Sequence, residues 1–260
     1  MLHLCCGTGR PLPMRMCRLF GGHDHYVIRV SAFESADGWT LIDSGFGTDD
    51  RRDLNPIKRA ALGFDLSPGS LTVERLAAAG IKASDVRRIV LTHLDLDHAG
   101  GVRDFPQATV HVAGPEWRYA TTHRHPRYIR AQFGHLAPVL HELDGGESWE
   151  GFAGVRSLDD TDNVLLVPLV GHSPGHMGVA VRDGAGRWLL HAGDLYMHRG
   201  EVDPAAPPMP GYMAAFQRAV AQDVSARRAN VDRVRALVHR ADRGVDVVCA
   251  HDPVEQPACC

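Results

Sequence analysis

The stretch IVLTHLDLDHAGG (residues 89–101) carries four side chains that can bind metal within six residues. It begins with an apolar run at residues 89–91, which is typical of a buried β-strand. The strand is followed by the four candidate ligands, which are His93, Asp95, Asp97 and His98. Imidazole and carboxylate are donors that suit Zn²⁺ and neighbouring divalent ions. The stretch therefore predicts a strand that ends in part of a metal site.

Apolar runs of the same kind recur along the chain and predict further strands. They lie at residues 38–45, 87–93, 108–114, 163–172, 176–183, 187–194 and 244–252. Helical patterns lie between them, at residues 70–80, near 115–133 and near 211–242. Interleaved strands and helices, with a hairpin-like pair among the strands, predict an α/β sandwich with sheets inside and helices outside.

Polar residues follow the C-terminal ends of several of these strands. Outside the first motif they are Asp43, His172, Asp194 and His251. One such residue is usually a structural cap. Here, however, three segments share a glycine-containing turn beside His or Asp, namely THLDLDHAGG, VGHSPGH and HAGD, and a fourth strand ends in CAHD with His beside Asp. Because loops held by rigid strands keep ligands in a fixed geometry, the shared pattern predicts a single metal site assembled from distant segments.

Composition and charge narrow the class of protein. A chain of 260 residues with 44% hydrophobic and 23% charged residues can bury a substantial core. We expect one domain over residues 1–260, with about the first 20 and the last 6 residues peripheral. The formal charge of −3 argues against a nucleic-acid partner. No apolar run reaches the ~18–20 residues of a membrane span, and the N-terminus lacks a signal-peptide pattern.

The six cysteines predict a reduced, cytoplasmic protein. They are Cys5, Cys6, Cys17, Cys249, Cys259 and Cys260, and none forms a C-x-x-C pair. We assign no function to them.

The ordered set of polar residues resembles the metallo-β-lactamase superfamily. The hallmark of that family is H-x-H-x-D-H followed by a distant His, then Asp, then His. The similarity extends from TLIDSG (40–45) to AHD (250–252) and so covers nearly the whole chain. It implies a four-layer αβ/βα sandwich with the metal site at one edge, between two sheets.

The resemblance implies two divalent ions, with zinc the preferred metal, and seven ligands. These ligands are His93, Asp95, Asp97, His98, His172, Asp194 and His251. The residues at positions 93, 95 and 172 would bind one ion, and those at positions 97, 98 and 251 would bind the other. Asp194 would bridge the two ions. Asp43 and His176 are expected to support the site without binding metal. His191 is expected to be a core residue, and the histidines at 123, 125, 135 and 141 are expected at the surface.

Position 95 departs from the family pattern, because most members have histidine there and this chain has Asp95. An oxygen donor would make the first metal position harder and more tolerant of Mn²⁺ or Fe²⁺. The alternative is that Asp95 does not reach the ion and leaves this position weakly occupied. If Asp95 is a ligand, histidine at this position is predicted to bind the first metal more tightly.

The function implied by the resemblance is hydrolysis by a metal-bound hydroxide. Asp97 would orient that hydroxide, and Tyr196 would donate a hydrogen bond to a substrate oxygen. The segments GHSPGH (171–176) and AHDPVEQ (250–256) resemble the lactonase branch. We therefore expect a small-molecule carboxylic ester or lactone as substrate, with no nucleic-acid or membrane partner and with a homodimer left open. The alternatives are a thioesterase of the glyoxalase II kind and a non-catalytic metal- or ligand-binding member of the fold.

Overall fold

The computed structural model describes residues 1–11, 14, 25–159, 161–240 and 244–255. Its strands are β1 (Leu2–Gly9), β2 (Tyr26–Ser35), β3 (Gly38–Ile42), β4 (Val86–Val90), β5 (Thr109–Ala113), β6 (Val139–His141), β7 (Glu147–Trp149), β8 (Phe152–Ser157), β9 (Val164–Pro168), β10 (Met177–Arg182), β11 (Trp188–His191) and β12 (Val245–Val248). Its α-helices are α1 (Asp50–Asp53), α2 (Pro56–Leu62), α3 (Thr72–Ala78), α4 (Leu96–Ala99), α5 (Gly114–Thr122), α6 (Arg130–Phe133), α7 (Gly211–Val220) and α8 (Val224–Val238).

Every predicted strand and every predicted helical region is present. The helical patterns near 115–133 and 211–242 each resolve into two helices, α5 with α6 and α7 with α8. Residues 241 and 242 lie outside the described residues. The chain forms two mixed sheets with accompanying helices, which confirms the α/β prediction.

The chain divides into two compact units. The first contains Met1–His111, Arg124–Val139 and His251–Cys260, and the second contains Val112–His123 and Leu140–Ala250. The single-domain organisation stays a prediction of the sequence. Among the described residues, no helix combines the length and the apolar character that crossing a membrane requires.

The first sheet has the strand order β1-β2-β3-β4-β5-β6. Strands β1 to β3 pair antiparallel, whereas β3, β4 and β5 run parallel. Because parallel strands present their carboxyl ends at one edge of a sheet, the residues after β3 and β4 emerge side by side. Asp43 follows β3 directly, and the metal-binding motif follows β4.

The N-terminus contributes the edge strand β1 to this sheet. Strand β1 pairs with β2 along its length and buries Cys5 and Cys6. Burial raises the pKa of the Cys6 thiol to about 12, so this side chain packs as an uncharged apolar group. Cys249 is also buried, whereas Cys17 and the last two cysteines lie outside the described residues.

The second unit contains the strand order β12-β11-β10-β9-β8-β7. Strand β10 pairs antiparallel with both β9 and β11, so β9 and β11 run in the same direction. The residues that follow β9 and β11 therefore emerge at the same edge, and these segments carry His172 and Asp194. A hydrophobic cluster beneath them joins residues of β8 to β12 with the apolar face of α8.

Candidate metal centre

Asp43 is the central hydrogen-bond acceptor, or hub, for the polar residues of the first unit. It is 1% exposed and has φ of 61°, a left-handed conformation that is uncommon for a residue with a side chain. Its carboxylate accepts hydrogen bonds from the Thr92 amide at 2.7 Å, from the Thr92 hydroxyl at 2.9 and 3.0 Å, and from His98 Nδ1 at 2.9 Å. Backbone strain of this kind persists where the surrounding structure holds it in place, often at functional sites.

The hydrogen bonds of His98 and His251 determine which ring nitrogens carry protons. A carboxylate only accepts, so His98 Nδ1 donates its proton to Asp43. A backbone carbonyl also only accepts, so His251 Nδ1 donates to the oxygen of Val27 at 2.7 Å. Each neutral ring therefore presents a lone pair on Nε2.

The two Nε2 atoms, of His98 and His251, lie 3.4 Å apart. Two lone pairs that face each other at this distance repel unless a cation lies between them. Zn–N bonds of about 2.0–2.1 Å in a tetrahedral site separate neighbouring donors by about 3.3 Å. The spacing of these two nitrogens is therefore that of two ligands of one metal ion.

His93 is oriented by the same aspartate through Thr92. The Thr92 hydroxyl donates its single proton to Asp43 and so accepts from His93 Nδ1 at 3.0 Å. His93 Nε2 therefore also presents a lone pair, and it lies 3.5 Å from Oδ2 of Asp95. The His93 and His98 rings are 4.0 Å apart between centroids.

Asp97 completes a group of three donors with His98 and His251. Its two carboxylate oxygens lie 4.0 Å from His98 Nε2 and 3.8 Å from His251 Nε2. One donor atom from each of the three residues falls within 4.8 Å of the others. Two neutral imidazoles and one carboxylate form a donor set that fits a divalent zinc-like ion. The side chains of this group fit the metal that the sequence predicts.

The one-turn helix α4 supplies Asp97 and His98 and is tied to the loop after β3. The amide and the hydroxyl of Ser44 both donate to the carbonyl of His98, each at 2.8 Å. Gly101 packs against that loop so closely that a Cβ atom would lie 2.2 Å from the Ser44 oxygen. Glycine at position 101 is therefore required by a close backbone approach.

Arg127 is a neighbour of the centre that the sequence analysis missed. Its Nε lies 3.0 Å from Oδ1 of Asp95, and both side chains are largely buried, at 8% and 13% exposure. Lys58 is near the same carboxylates. Partial burial lowers the pKa of Lys58, while the negative charges of Asp95 and Asp97 act in the opposite direction. The first unit thus surrounds its acidic ligands with two cationic side chains.

The second unit brings His172 and Asp194 together. His172 Nε2 lies 3.5 Å from Oδ2 of Asp194, at the shared edge after β9 and β11. His176 donates from Nδ1 to the carbonyl of Leu169 at 2.9 Å, and its Nε2 accepts from the Asp194 amide at 2.9 Å. Both nitrogens of His176 are therefore engaged with backbone groups, and this ring positions Asp194.

Glu116 is a second residue that the sequence analysis missed. It is fully buried on α5 and accepts hydrogen bonds from the Ser173 hydroxyl at 2.6 Å and the Gly175 amide at 3.1 Å. The contact is so close that a Cβ on Gly175 would lie 2.2 Å from the Glu116 nitrogen. Glu116 thereby fixes the loop that carries His172 and His176.

Replacing Glu116 with alanine is expected to lower the free energy of unfolding by about 1–3 kcal/mol, because a buried hydroxyl and a buried amide lose their acceptor. Urea unfolding of the metal-free chain measures this. Glu147→Ala, at an exposed position on β7, is the matched control and should unfold as the wild type does. Coincident curves for the Glu116 and Glu147 variants would contradict the role of Glu116.

The remaining predicted residues have varied surroundings. His191 is fully buried, and His123 and His135 are exposed. His125 and His141 are partly buried, and burial lowers the pKa of each. Tyr196 is fully buried within the hydrophobic cluster of the second unit.

Comparison with known proteins adds a family context. Residues 20–237 match the model of the metallo-beta-lactamase superfamily. A probable metallo-hydrolase of Mycobacterium tuberculosis is 37% identical over 260 residues, covering 96% of this chain and 79% of its own length. The N-acyl homoserine lactonase AttM of Rhizobium johnstonii is 30% identical over 224 residues, covering 84% of this chain and 78% of the relative.

A solved structure is similar along almost all of the chain. It is an N-acyl homoserine lactone hydrolase with the product N-hexanoyl-L-homoserine at its catalytic metal centre. The TM-score is 0.71 at 17% sequence identity, with 99% of this chain and 95% of that chain covered. At this identity the similarity is one of fold.

Proposed function

The chain belongs to the metallo-β-lactamase superfamily, and from this premise we propose that it opens a carboxylic ester or lactone with the help of two divalent metal ions. The αβ/βα fold class predicted from the sequence is confirmed by the family match and by the similar solved structure. Membership of this family of metallo-hydrolases makes the chain a metal-binding hydrolase. The two-ion centre and the lactone substrate are the proposed steps beyond that assignment.

The observation that carries the proposal is that three buried imidazoles each present a lone pair on Nε2, because hydrogen bonds hold their protons on Nδ1. Asp43 fixes His98 directly and His93 through the Thr92 hydroxyl. The carbonyl of Val27 fixes His251 in the same tautomer. A hydrogen bond from the outer ring nitrogen to a carboxylate or carbonyl is the usual support of a metal-binding histidine.

The proposed ligand set follows the family order. Asp97, His98 and His251 hold one ion, and His93 with Asp95 contributes to the other. His172 and Asp194, assigned by the order of the family motif, complete the set. Their support within the second unit is the 3.5 Å approach of His172 Nε2 to the Asp194 carboxylate. Zinc suits these donors best, and the oxygen of Asp95 extends the choice to manganese or iron.

When bound, two divalent ions would lower the pKa of water and polarise a carbonyl group, which is the chemistry of hydrolysis. The chain's own residues set the geometry for that chemistry. Asp97 would accept a proton from the attacking water and orient that water. Asp43 and Thr92 keep the protons of His93 and His98 on Nδ1, away from the reacting atoms.

A lactone is the proposed substrate class because sequence similarity to lactonases favours it, both in two short segments and over most of the chain. The segments GHSPGH (171–176) and AHDPVEQ (250–256) resemble the lactonase branch. AttM, which is 30% identical over 84% of this chain, is an N-acyl homoserine lactonase. The ring-opened product would carry a new carboxylate, and Lys58 supplies a positive charge on this side of the site.

Metal depletion followed by a substrate screen tests this proposal. Dialysis against a chelator is expected to abolish hydrolysis, and zinc or manganese should restore it with two equivalents per chain. Homoserine lactones, simple lactones, thioesters and phosphotriesters are then compared on the same reconstituted sample. Preference for a thioester would contradict the lactone assignment, and turnover that persists after complete metal removal would contradict the metal-dependent mechanism.

Replacing Tyr196 with phenylalanine tests the proposed donor to the substrate oxygen. The ring stays in its buried cluster while the hydroxyl is removed, so we expect kcat to fall by about a hundredfold with unchanged metal content. Steady-state kinetics on the preferred lactone and metal analysis of the same variant measure this. An unchanged kcat would show that Tyr196 serves packing alone.

A further inference from the structure

The two oxygens of Asp95 face different groups in the first unit. Oδ1 is 3.0 Å from Nε of Arg127, whereas Oδ2 is 3.5 Å from Nε2 of His93. The second distance is close to the separation of about 3.3 Å expected between two donors of one tetrahedral ion. The ion pair with Arg127 therefore turns Asp95 so that a single oxygen is presented beside the lone pair of His93.

The opposite charges of Asp95 and Arg127 explain how an aspartate can occupy position 95 without changing the net charge of the metal centre. A neutral histidine, the residue most members of the family have there, adds no charge to the metal centre. Asp95 alone would add one negative charge, and the buried guanidinium of Arg127 cancels it. Arginine remains protonated under all ordinary conditions, so the cancellation does not depend on pH.

We propose that Asp95 and Arg127 form a single neutral ligand unit that takes the place of one histidine in the metal centre. Arg127 is a positioning residue in this unit, because it acts on the metal through the Asp95 carboxylate. The inference rests on the metal centre of the proposed function and is independent of the lactone substrate.

The sequence alone predicts that histidine at position 95 binds the first metal more tightly. The neutral unit predicts the opposite, namely weaker binding. Asp95→His restores the common family ligand but deprives the buried Arg127 of its carboxylate partner. The positive charge of the guanidinium, no longer balanced by Asp95, then lies close to a divalent cation, and repulsion between them weakens metal binding. We therefore expect D95H to lower the affinity for the first ion by about 10- to 100-fold, the range typical of lost support around a metal ligand.

A double-mutant cycle on metal binding tests the proposal. The variants are D95H, R127Q and D95H/R127Q, and each is characterised by metal content after dialysis and by isothermal titration with zinc. D95H is expected to retain one ion, and D95H/R127Q is expected to recover the second. R127Q alone should weaken the first ion, because Asp95 loses its fixed orientation.

Lys58 provides the matched control. It interacts electrostatically with Asp95, as Arg127 does, yet the ion pair with Asp95 belongs to Arg127. D95H/K58Q is therefore expected to bind metal as poorly as D95H does. If D95H fails to fold, as judged by circular dichroism, the isosteric D95N replaces it in the same cycle.

The outcomes separate this inference from the proposed function. A D95H chain that binds two ions at least as tightly as the wild type would overturn the neutral unit, as would equal binding by D95H and D95H/R127Q. Rescue by K58Q as complete as rescue by R127Q would also overturn it, since a general charge effect would then suffice. A wild-type chain that takes up no metal would overturn the proposed function together with the inference.

Discussion

Replacement of Asp97 by alanine is expected to abolish hydrolysis, with kcat/KM falling by about 10⁴-fold or more, as is found when a catalytic group is removed. Asp97 is the one carboxylate in the group with His98 and His251, and its oxygens lie 4.0 and 3.8 Å from their Nε2 atoms. Alanine removes both a metal donor and the proton acceptor proposed for the attacking water. The measurement is kcat/KM on the preferred lactone, with the enzyme reconstituted in excess zinc.

Two further variants show whether the effect at position 97 comes from the loss of this particular carboxylate. Asp97→Asn keeps the shape and one oxygen donor but removes the charge, so we expect it to retain part of the metal and little activity. Asp53→Ala, at an exposed position on α1, is the control for loss of a carboxylate and should leave kcat/KM unchanged. An alanine variant at position 97 that is fully metal-loaded and active would refute the role assigned to Asp97.

The fold could be predicted from the sequence where apolar runs were short and bounded by turns. Strands β4, β9 and β10 are of this kind, and each lies where its pattern predicted. Strand β2 was missed although it is almost entirely buried, because Arg29 and Ser31 interrupt its apolar pattern. Arg29 is 1% exposed, and its guanidinium approaches the carbonyl of Asp252, a contact with a residue far away in the chain.

The candidate site could be predicted as a set of ligands, but the groups that orient those ligands could not. Thr92 sits inside the motif, yet its hydroxyl acquires a role only because β3 and β4 are neighbouring parallel strands that bring Asp43 against it. Arg127 and Glu116 belong to segments without any metal-binding pattern. Their contacts with Asp95 and with the Ser173 loop depend on tertiary packing, which no local pattern in the sequence encodes.

Asp43 is one of these orienting residues and is not among the proposed metal ligands. Its replacement is the second change for which we expect a large effect on activity. Asp43→Asn is expected to lower kcat/KM by about 10³-fold and to weaken metal binding, because an amide cannot serve all the donors that the carboxylate serves. When the amide oxygen accepts from the Thr92 amide, its NH₂ group faces His98 Nδ1. His98 must then move its proton to Nε2, which covers the lone pair that binds metal.

The Asn and Gly variants at position 43 separate this proton effect from backbone strain. Both residues tolerate the left-handed φ of 61° better than most, so neither adds strain at this position. Asp43→Gly leaves His98 Nδ1 without its acceptor but places no opposing donor there, so metal binding should fall less than in Asp43→Asn. Nitrogen-15 NMR of the metal-free imidazoles reads the tautomer directly. If His98 keeps its proton on Nδ1 in Asp43→Asn and the variant still binds metal fully, the hub role of Asp43 is wrong, because the imidazole lone pairs would then be set by something other than this carboxylate.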